Sequence, residues 1–440
     1  MKKIFWAIVL SCSFSSSAIA QTDMYGLSNS LYGLWTNGKT TEAVNNSVEL
    51  HRLNPPMFVN TVHSTLSQLL MRRTNTNGQI FLDSLMRRQN EQVNQIVYPI
   101  YLWGRALNVT QKDGANLILN ALNRTFKDSS NYQPKTELYS LLILQDLERK
   151  NLIDKTQMVQ ILQKNIQNLE SSPYVKQVIP GRVNEEKRAW NRYLLAYSYH
   201  SLFAIEKNED QLKKAAAYSP DQQDRQYAHS YFYDGALLTG QVNTFGFQSE
   251  YLSYLTENKR NDEALELLCQ MTFSEPTDVN LTALKSGYKK ANKSLPFKSF
   301  WANYVHQMGK PVPKVKVAFA GEVLDLTVKP NRWIYIDVWG TWCSPCVKEL
   351  PELQAFYVEN QKVPMSNLKI VTFSYSSQNL ADFLQKNQYT FPVSEIDDQI
   401  KNQFGINSFP TKILISPEGN YIVIPFGVDW KMYVKNYIQN

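Results

Sequence analysis

Two cysteines separated by two residues, Cys343 and Cys346, are the side chains in this 440-residue sequence that are best suited to chemistry. Such a pair can close into a disulfide and open again, and so exchange electrons with another disulfide. Pro345, between them, suits the first turn of a helix, where the N–H that proline lacks would have no partner. Free N–H groups at a helix N-terminus stabilise a thiolate, so we expect Cys343 to attack and Cys346 to resolve.

Two carboxylates are candidates for handling the proton of Cys346. Glu349 follows three residues later, so both side chains project from one helix face. Asp337 precedes the pair on an apolar stretch, where a carboxylate is costly unless it has a partner or a task. A buried carboxyl near Cys346 would have a raised pKa and could take its proton. A solvated surface position for Glu349 and a strand-edge position for Asp337 remain the alternatives.

The other cysteines and histidines do not indicate a second centre. Cys269 ends the apolar helix pattern Leu265–Cys269, which favours a core position over a reactive thiol. The five histidines are scattered, with no pair four residues apart and no cysteine nearby, so the sequence indicates no metal site. No bound cofactor is implied. Four cysteines are also too few for a disulfide scaffold.

The elements around the cysteine pair alternate between strand and helix. Short β-branched or aromatic runs predict strands at Val315–Phe319, Val323–Thr327, Trp333–Trp339, Leu368–Phe373, Lys412–Ile415 and Tyr421–Pro425. Patterns of helical period lie between them, at Pro345–Glu359, Leu380–Lys386, Gln399–Phe404 and Trp430–Ile438. The last two strands are joined by the turn Pro417–Asn420. This order predicts an α/β sheet with an antiparallel edge.

Residues 314–440 resemble the TlpA/ResA branch of extracytoplasmic thioredoxin-like proteins. The resemblance is carried by Trp339–Cys346, Glu349–Pro351, Phe391-Pro392, Gly405–Thr411 and Ile415–Gly419. It implies a thioredoxin fold, in which helices flank a central mixed sheet, and the activity of a thiol–disulfide oxidoreductase. It also implies that Pro410 is cis and faces the dithiol, and that Phe409 pairs with the substrate backbone.

The resemblance extends to the other site residues. It implies a substrate cleft formed by Trp342, Ser344, Pro345, Phe409 and Pro410. Glu349 matches an acidic residue of ResA-type proteins, and Asp337 matches the buried aspartate of thioredoxin itself. Because this sequence has both acids, which of them handles the proton stays open.

Residues 21–308 read as helical throughout, so the predicted fold class is an all-α array followed by an α/β domain. Helical hairpins that end at a proline recur four times and loosely resemble tetratricopeptide repeats. Their spacing is irregular, and a generic helical bundle is the alternative. The proline-containing stretch Met308–Pro313 is predicted to be an extended linker. The predicted domains are therefore 21–308 and 309–440.

The pattern of residues 1–20 is typical of a signal peptide. Lys2 and Lys3 are followed by a short apolar run, and Ala18-Ile19-Ala20 precedes the predicted signal-peptidase cleavage site. This pattern predicts export to the periplasm. The alternative is a membrane-tethered lipoprotein lipidated on Cys12. The 46 basic and 39 acidic residues leave a net charge of +7, which is too diffuse for nucleic-acid binding.

The predicted function is that of an extracytoplasmic protein disulfide reductase acting on protein or peptide disulfides. The resemblance implies an electron donor that is another dithiol protein or a membrane thiol transporter. One alternative is the same enzyme working as an oxidase or isomerase. The other is a helical-repeat scaffold that binds proteins and carries an accessory thioredoxin module.

Overall fold

The structure is a computed structural model that describes residues 24–67, 70, 77–88, 90–126, 135–177, 179–225, 227, 230–240, 246–319, 322–362 and 368–438. The predicted signal peptide and Cys12 lie outside these residues. The chain divides into two compact units. The first is drawn from Met1–Val178, Trp190–Ala215 and His229–Phe245, and the second from Ile179–Ala189, Ala216–Ala228 and Gly246–Asn440.

Helices account for every regular element described before residue 310, which confirms the predicted all-α array. They are 24–36, Thr40–Leu53, Pro55–Thr61, the π-helix Val62–Leu66, Asn77–Arg87, Glu91–Asn108, Lys112–Thr125, Thr136–Arg149, Lys155–Ser171, Pro173–Lys176, Arg182–Glu206, Glu209–Tyr218, Gln222–Arg225, Phe232–Thr239, Gln248–Glu257, Asn261–Ser274, Asp278–Lys290 and Phe297–Met308. None of the helices described is both long enough and apolar enough to cross a membrane.

The second unit contains a six-stranded mixed sheet. Its strands, with those of a separate β2–β3 hairpin, are β1 (Lys310–Pro311), β2 (Lys316–Phe319), β3 (Glu322–Asp325), β4 (Trp333–Trp339), β5 (Leu368–Tyr375), β6 (Val393–Ile396), β7 (Thr411–Ile415) and β8 (Asn420–Ile424). The sheet order is β1-β8-β7-β4-β5-β6. The central strands β4 and β5 are parallel, and β7 runs antiparallel to β4.

Four helices accompany these strands and complete the predicted thioredoxin-type arrangement. They are the active-site helix Ser344–Lys362, the helices Leu380–Lys386 and Asp398–Gln403, and the C-terminal helix Trp430–Ile438. All seven residues of β4 are buried, as expected for a central strand covered on both faces. Because β4 leads directly towards the active-site helix, it places the cysteine pair at the end of a fully buried strand.

Two strands were not predicted from the sequence. β6 is short and carries Glu395 in an exposed position, which weakens its strand pattern. β1 lies within the predicted linker, where Lys310 and Pro311 pair with Tyr421 and Asn420 of β8. Proline is tolerated there because β1 is an edge strand. Part of the predicted linker is therefore attached to the sheet, and the boundary at residues 308/309 stays a prediction.

Helices that precede the sheet share its hydrophobic core within the second unit. Trp301 is fully buried, and its indole Nε1 donates a hydrogen bond of 2.9 Å to the Asn436 carbonyl oxygen. The Tyr437 hydroxyl donates to the Phe273 carbonyl oxygen at 2.6 Å. Residues of Asn261–Ser274 and Phe297–Met308 thus belong to the same core as Tyr335 of β4 and both active-site cysteines.

Candidate active site

Cys343 and Cys346 lie where β4 gives way to the active-site helix. The chain turns after Trp339, the Cys343 N–H donates to the Gly340 carbonyl oxygen at 3.0 Å, and the helix begins at Ser344. The two cysteines form a disulfide. The Cys346 backbone N–H points at the Cys343 sulfur, 3.3 Å away. An N–H of the first helical turn is thus positioned to stabilise negative charge on Cys343 when the disulfide opens.

The two cysteine residues differ little in exposure while their sulfurs are bonded to each other. Cys343 is 5% exposed and Cys346 is 1% exposed. The slightly more accessible residue is therefore Cys343, the one expected to attack. Ser344 and Pro345 between them are exposed at the helix start, as the resemblance implies for the rim of a cleft.

An aromatic surface borders the disulfide. Trp342 is 55% exposed, and its Nε1 donates to the Tyr375 carbonyl oxygen at 3.0 Å. Its ring meets Phe409 edge to face, with the centroids 5.1 Å apart. The Phe409–Pro410 peptide bond is cis, as the resemblance implies. The structure therefore brings Trp342, Phe409 and Pro410 to the same end of the sheet as the cysteines.

Gly340 allows Trp342 to lie against the sheet. A Cβ atom at this position would lie 2.5 Å from the Trp342 Nε1 and 2.9 Å from the Tyr375 carbonyl oxygen. Real Cβ atoms essentially never make such contacts, so any larger residue would displace the indole or the strand end. The glycine before Thr341-Trp342 is therefore required by the close approach of Trp342 to β5.

Asp337 is buried beside a lysine that the sequence-based prediction had not included. The register of β4 and β7 places Asp337 directly opposite Lys412, with the Lys412 Nζ 3.5 Å from the Asp337 Oδ2. Lys412 also contacts the Glu349 carboxylate of the active-site helix. The Tyr335 hydroxyl donates to the Asp337 Oδ2 at 3.1 Å. Both acids predicted from the sequence therefore converge on one ammonium group.

Burial sets the protonation behaviour of this cluster. Loss of hydration raises the pKa of Asp337 above its ordinary value of 3.8, although the Lys412 ammonium and the Tyr335 hydroxyl oppose the rise. Burial alone would lower the pKa of Lys412, but the two carboxylates outweigh it, so its pKa lies above the ordinary 10.5. Burial also raises the pKa of Tyr335 well above 10.0, so its hydroxyl keeps its proton. Asp337 is thus the group of the three with a pKa shifted towards neutrality.

The raised pKa of Asp337 predicts a pH dependence of stability. The folded protein holds the Asp337 proton to higher pH than the unfolded chain does, so binding of this proton stabilises the fold. Its contribution to the free energy of unfolding is complete below pH 3.8 and is lost as pH rises through the raised pKa. We expect Asp337→Asn to flatten the decline in unfolding free energy above about pH 4. Urea unfolding of the oxidised protein over a pH series measures it.

Asp325→Asn is the matched control, because the Lys316 ammonium, with Thr327, lowers the pKa of the partly exposed Asp325 carboxyl to about 2. Its removal should leave the slope above about pH 5 unchanged, because Asp325 is ionised there in both the folded and the unfolded chain. If the free energy of unfolding declines with pH as steeply in Asp337→Asn as in the wild type, Asp337 is not the titrating group.

Cys269 does not join the site. It is buried in the core of the second unit, and burial together with Glu266 raises the pKa of its thiol to about 12. A thiol with so high a pKa is almost entirely protonated at neutral pH and is a poor nucleophile. The expectation that Cys269 fills the core is confirmed by its burial.

Sequence reasoning missed Lys412 and Tyr335. It also missed Tyr375, whose carbonyl oxygen accepts the hydrogen bond from the Trp342 indole. The sequence pattern could have identified Lys412, since it is a charged residue inside the apolar run Thr411–Ile415, which directly follows Pro410. A lysine there needs a buried partner. Tyr335 gave a weaker one, because it precedes Asp337 by two residues and so shares its face of the strand.

Comparison with known proteins identifies the fold of this region. Residues 331–421 match the family model described as Thioredoxin-like. The thiol-disulfide oxidoreductase ResA of Geobacillus thermodenitrificans is 30% identical over 116 residues, which cover 26% of this chain and 66% of that protein. ResA of Bacillus anthracis is 27% identical over 137 residues, covering 30% of this chain and 78% of that protein. Among solved structures, StoA from Bacillus subtilis is 26% identical and covers 28% of this chain and 98% of that one, with a TM-score of 0.24.

The family model and the two ResA matches confirm a thioredoxin-like domain in the C-terminal region, as the sequence motifs predicted. The chain spans just under two thirds of the length of the Geobacillus relative. Each match also leaves more than two thirds of this chain uncovered. The likeness therefore concerns the domain that carries the cysteine pair.

Proposed function

We propose that this chain, whose C-terminal region is a thioredoxin-like domain, is a thiol–disulfide oxidoreductase that works as a protein disulfide reductase. The observation that carries the proposal is the Cys343–Cys346 disulfide at the N-terminus of the active-site helix, with the Cys346 N–H directed at the Cys343 sulfur. A structural disulfide has no need of such a donor. The curated relatives are themselves named thiol-disulfide oxidoreductases.

The reaction follows from the positions of the two sulfurs. In the reduced enzyme, the Cys343 thiolate attacks one sulfur of the substrate disulfide and releases the other as a thiolate, which solvent protonates. Cys346 then gives its proton to an acidic side chain and attacks the Cys343 sulfur. The Cys343–Cys346 disulfide forms, the second substrate thiolate leaves, and two electrons have passed from the dithiol to the substrate.

The cleft residues supply substrate recognition. Trp342 and the half-buried Phe409 offer aromatic surface beside the disulfide, and Pro410 follows in the cis conformation. An extended peptide with a disulfide can lie across such a surface and present its sulfur to Cys343. Protein or peptide disulfides are therefore the proposed substrates, and a second dithiol protein or a membrane thiol transporter is the proposed electron donor.

A turnover assay tests the proposal. The full chain should reduce a self-quenched fluorescent derivative of oxidised glutathione with dithiothreitol as the electron source. The rate should exceed the rate with dithiothreitol alone and should scale with protein concentration. A rate indistinguishable from the background would favour the scaffold alternative, in which the thioredoxin-like domain has only a structural role.

The reduction potential separates the reductase from an oxidase. Thioredoxin, a reductase, has a potential of roughly −270 mV, whereas the oxidant DsbA has one of roughly −120 mV. We propose a reduction potential near that of thioredoxin. Equilibration of the Cys343–Cys346 pair with glutathione buffers measures this potential, and a value near that of DsbA would indicate that the chain works as an oxidase.

We also propose that the protein is exported after removal of residues 1–20, which leaves Gln21 at the N-terminus. The support is the sequence pattern of a charged start, an apolar run and Ala18-Ile19-Ala20. Mass spectrometry of protein recovered from the producing cells measures the mature terminus. A diacylglycerol-modified Cys12 would instead establish membrane tethering.

A further inference from the structure

Tyr375 lies at the end of β5 and contacts both aromatic residues that border the disulfide. Its carbonyl oxygen accepts the 3.0 Å hydrogen bond from the Trp342 Nε1. Its ring stacks on Phe409, with the centroids 5.4 Å apart and the planes inclined by 16°. Phe409 in turn meets Trp342 edge to face at 5.1 Å. Each of the three residues therefore contacts the other two, and together we call them the aromatic wall of the cleft.

The hydroxyl end of Tyr375 is held by a pair of charged residues. Asp398 and Lys401 belong to the helix Asp398–Gln403 and its first turn, and they form a salt bridge of 2.8 Å. The Tyr375 hydroxyl donates to the Asp398 Oδ1 at 2.7 Å and accepts from the Lys401 Nζ at 3.3 Å. The Lys401 Nζ also lies 4.6 Å from the centre of the Tyr375 ring, which is within cation–π range. The ring is thus fixed at its hydroxyl end as well as by its stack on Phe409.

Tyr375 and this charge pair lie outside the sequence motifs that carry the resemblance to thioredoxin-like proteins. Tyr375 ends β5, whereas Asp398 and Lys401 lie on the helix that follows β6. Their meeting depends on the parallel pairing of β5 with β6, in which Tyr375 is opposite Ile396. The support that these residues give to the aromatic wall is therefore a feature that the motifs do not predict.

The two cleft residues need such support because neither is enclosed by the core. Trp342 is 55% exposed, and Phe409 is half-buried. A side chain that is free to move has to be immobilised when a ligand binds, and this costs binding free energy. A side chain that is already held loses less freedom on binding. By holding Phe409, and through it Trp342, the Tyr375 ring prepares the wall for a ligand.

We propose that Tyr375 is a positioning residue that fixes Phe409 and Trp342 for the binding of disulfides in peptides that carry apolar side chains next to the cysteine. The inference rests on the proposed function and deepens it, because it names the class of disulfide that the cleft favours. Tyr375 takes no part in the exchange of bonds between sulfurs. A small disulfide without such side chains reaches Cys343 without using the aromatic wall.

Removal of the Tyr375 ring is expected to weaken peptide binding and to leave the sulfur chemistry intact. Tyr375→Ala keeps the backbone carbonyl that binds Trp342 but loses the stack on Phe409. From the usual strength of an aromatic pair, the KM for a peptide disulfide flanked by leucine should rise about two- to tenfold. The kcat for this peptide should stay close to that of the wild type, and so should the rate with bis(2-hydroxyethyl) disulfide.

Further variants test whether Tyr375 acts through its ring and through Phe409. Tyr375→Phe keeps the stack and should restore a KM close to that of the wild type, because its lost hydrogen bond is to a carboxylate that is 72% exposed. Tyr375→Leu lacks the ring but fills much of its space, so it should raise the KM and decides the matter if Tyr375→Ala does not fold. In a Phe409→Ala background, Tyr375→Ala should raise the KM by a much smaller factor, since the partner through which it acts is absent.

Lys329→Met is the matched control for a general effect of surface substitution. It removes a lysine that is paired with Glu418 at 2.6 Å, in the turn between β7 and β8. It should leave the peptide KM unchanged.

A fluorine NMR spectrum reports the position of Trp342 without any need for activity. The full chain is labelled with 5-fluorotryptophan, and Trp342→Phe identifies the Trp342 resonance. This resonance should move in Tyr375→Ala and stay in place in Lys329→Met.

A raised peptide KM together with a moved Trp342 resonance supports the inference. An unchanged KM or an unchanged resonance in Tyr375→Ala overturns it. Equal changes in KM with and without the Phe409 ring also overturn it, and so does an equal loss of rate with the peptide and the small disulfide. A wild-type protein that reduces neither disulfide would overturn the oxidoreductase proposal, whereas the resonance would still report whether Tyr375 fixes Trp342.

Discussion

Cys343→Ser is expected to abolish disulfide reduction, whereas Cys346→Ser is expected to stall the enzyme as a covalent complex with its substrate. Attack requires the Cys343 sulfur, since Cys343 is the more exposed residue of the pair and its sulfur faces the N–H of Cys346. Without Cys346, attack still takes place, but no thiol remains to release the product. Turnover should therefore fall to the background in Cys343→Ser, whereas Cys346→Ser, incubated without an added thiol, should accumulate a mixed disulfide.

Non-reducing mass spectrometry after incubation with a disulfide-containing peptide measures the trapped species. Cys269→Ser is the matched control, because its thiol is buried and has a pKa of about 12, so turnover should remain. Equal trapping by the two active-site variants would contradict the assignment of attacking and resolving roles.

Trp301→Ala is expected to destabilise the second unit by about 3–5 kcal/mol, the usual cost of deleting a buried tryptophan. The indole is fully buried, and it stacks on Tyr304 and Tyr437 with ring centroids 5.8 and 6.5 Å away. It also donates to the Asn436 carbonyl oxygen, which would lose this partner. Since Asn436 lies on the C-terminal helix, the loss of stability should affect the thioredoxin-like domain and not only the helix Phe297–Met308.

Labelling of the Cys269 thiol measures this effect locally. Cys269 belongs to the same core, so a thiol reagent should modify it only when the unit opens. The urea concentration at which the peptide containing Cys269 becomes labelled should fall in Trp301→Ala. It should change far less in Trp342→Ala, which removes an indole that is 55% exposed. Equal effects of the two substitutions would show that the helices do not support the domain.

The sequence predicted the elements that have strong local patterns. The helices Leu380–Lys386 and Trp430–Ile438 and the strand Trp333–Trp339 have the predicted bounds, because each carries a strong helical or apolar pattern. The strand β6 was missed because its four residues alternate weakly, and β1 because a strand of two residues with a proline has no recognisable pattern.

The candidate site was predicted where residues adjacent in sequence form it. Cys343, Cys346 and Trp342 lie on one turn, and Glu349 follows on the same helix. Lys412 could not be placed beside Asp337, since their contact depends on the register between β4 and β7, which are distant in sequence. The shared core between Trp301 and the C-terminal helix was missed for the same reason. Periodicity shows which face of an element is apolar but does not identify the element that covers it.

A stoichiometric reaction tests most directly whether Cys343 and Cys346 exchange electrons with a disulfide. The reduced full chain is mixed with an excess of a small peptide disulfide, quenched with acid and weighed by mass spectrometry. The predicted result is a chain lighter by two hydrogen atoms, a proteolytic peptide with Cys343 linked to Cys346, and one peptide disulfide converted to two thiols per chain. Cysteines that remain reduced, or a disulfide that involves Cys269, would contradict the proposed chemistry.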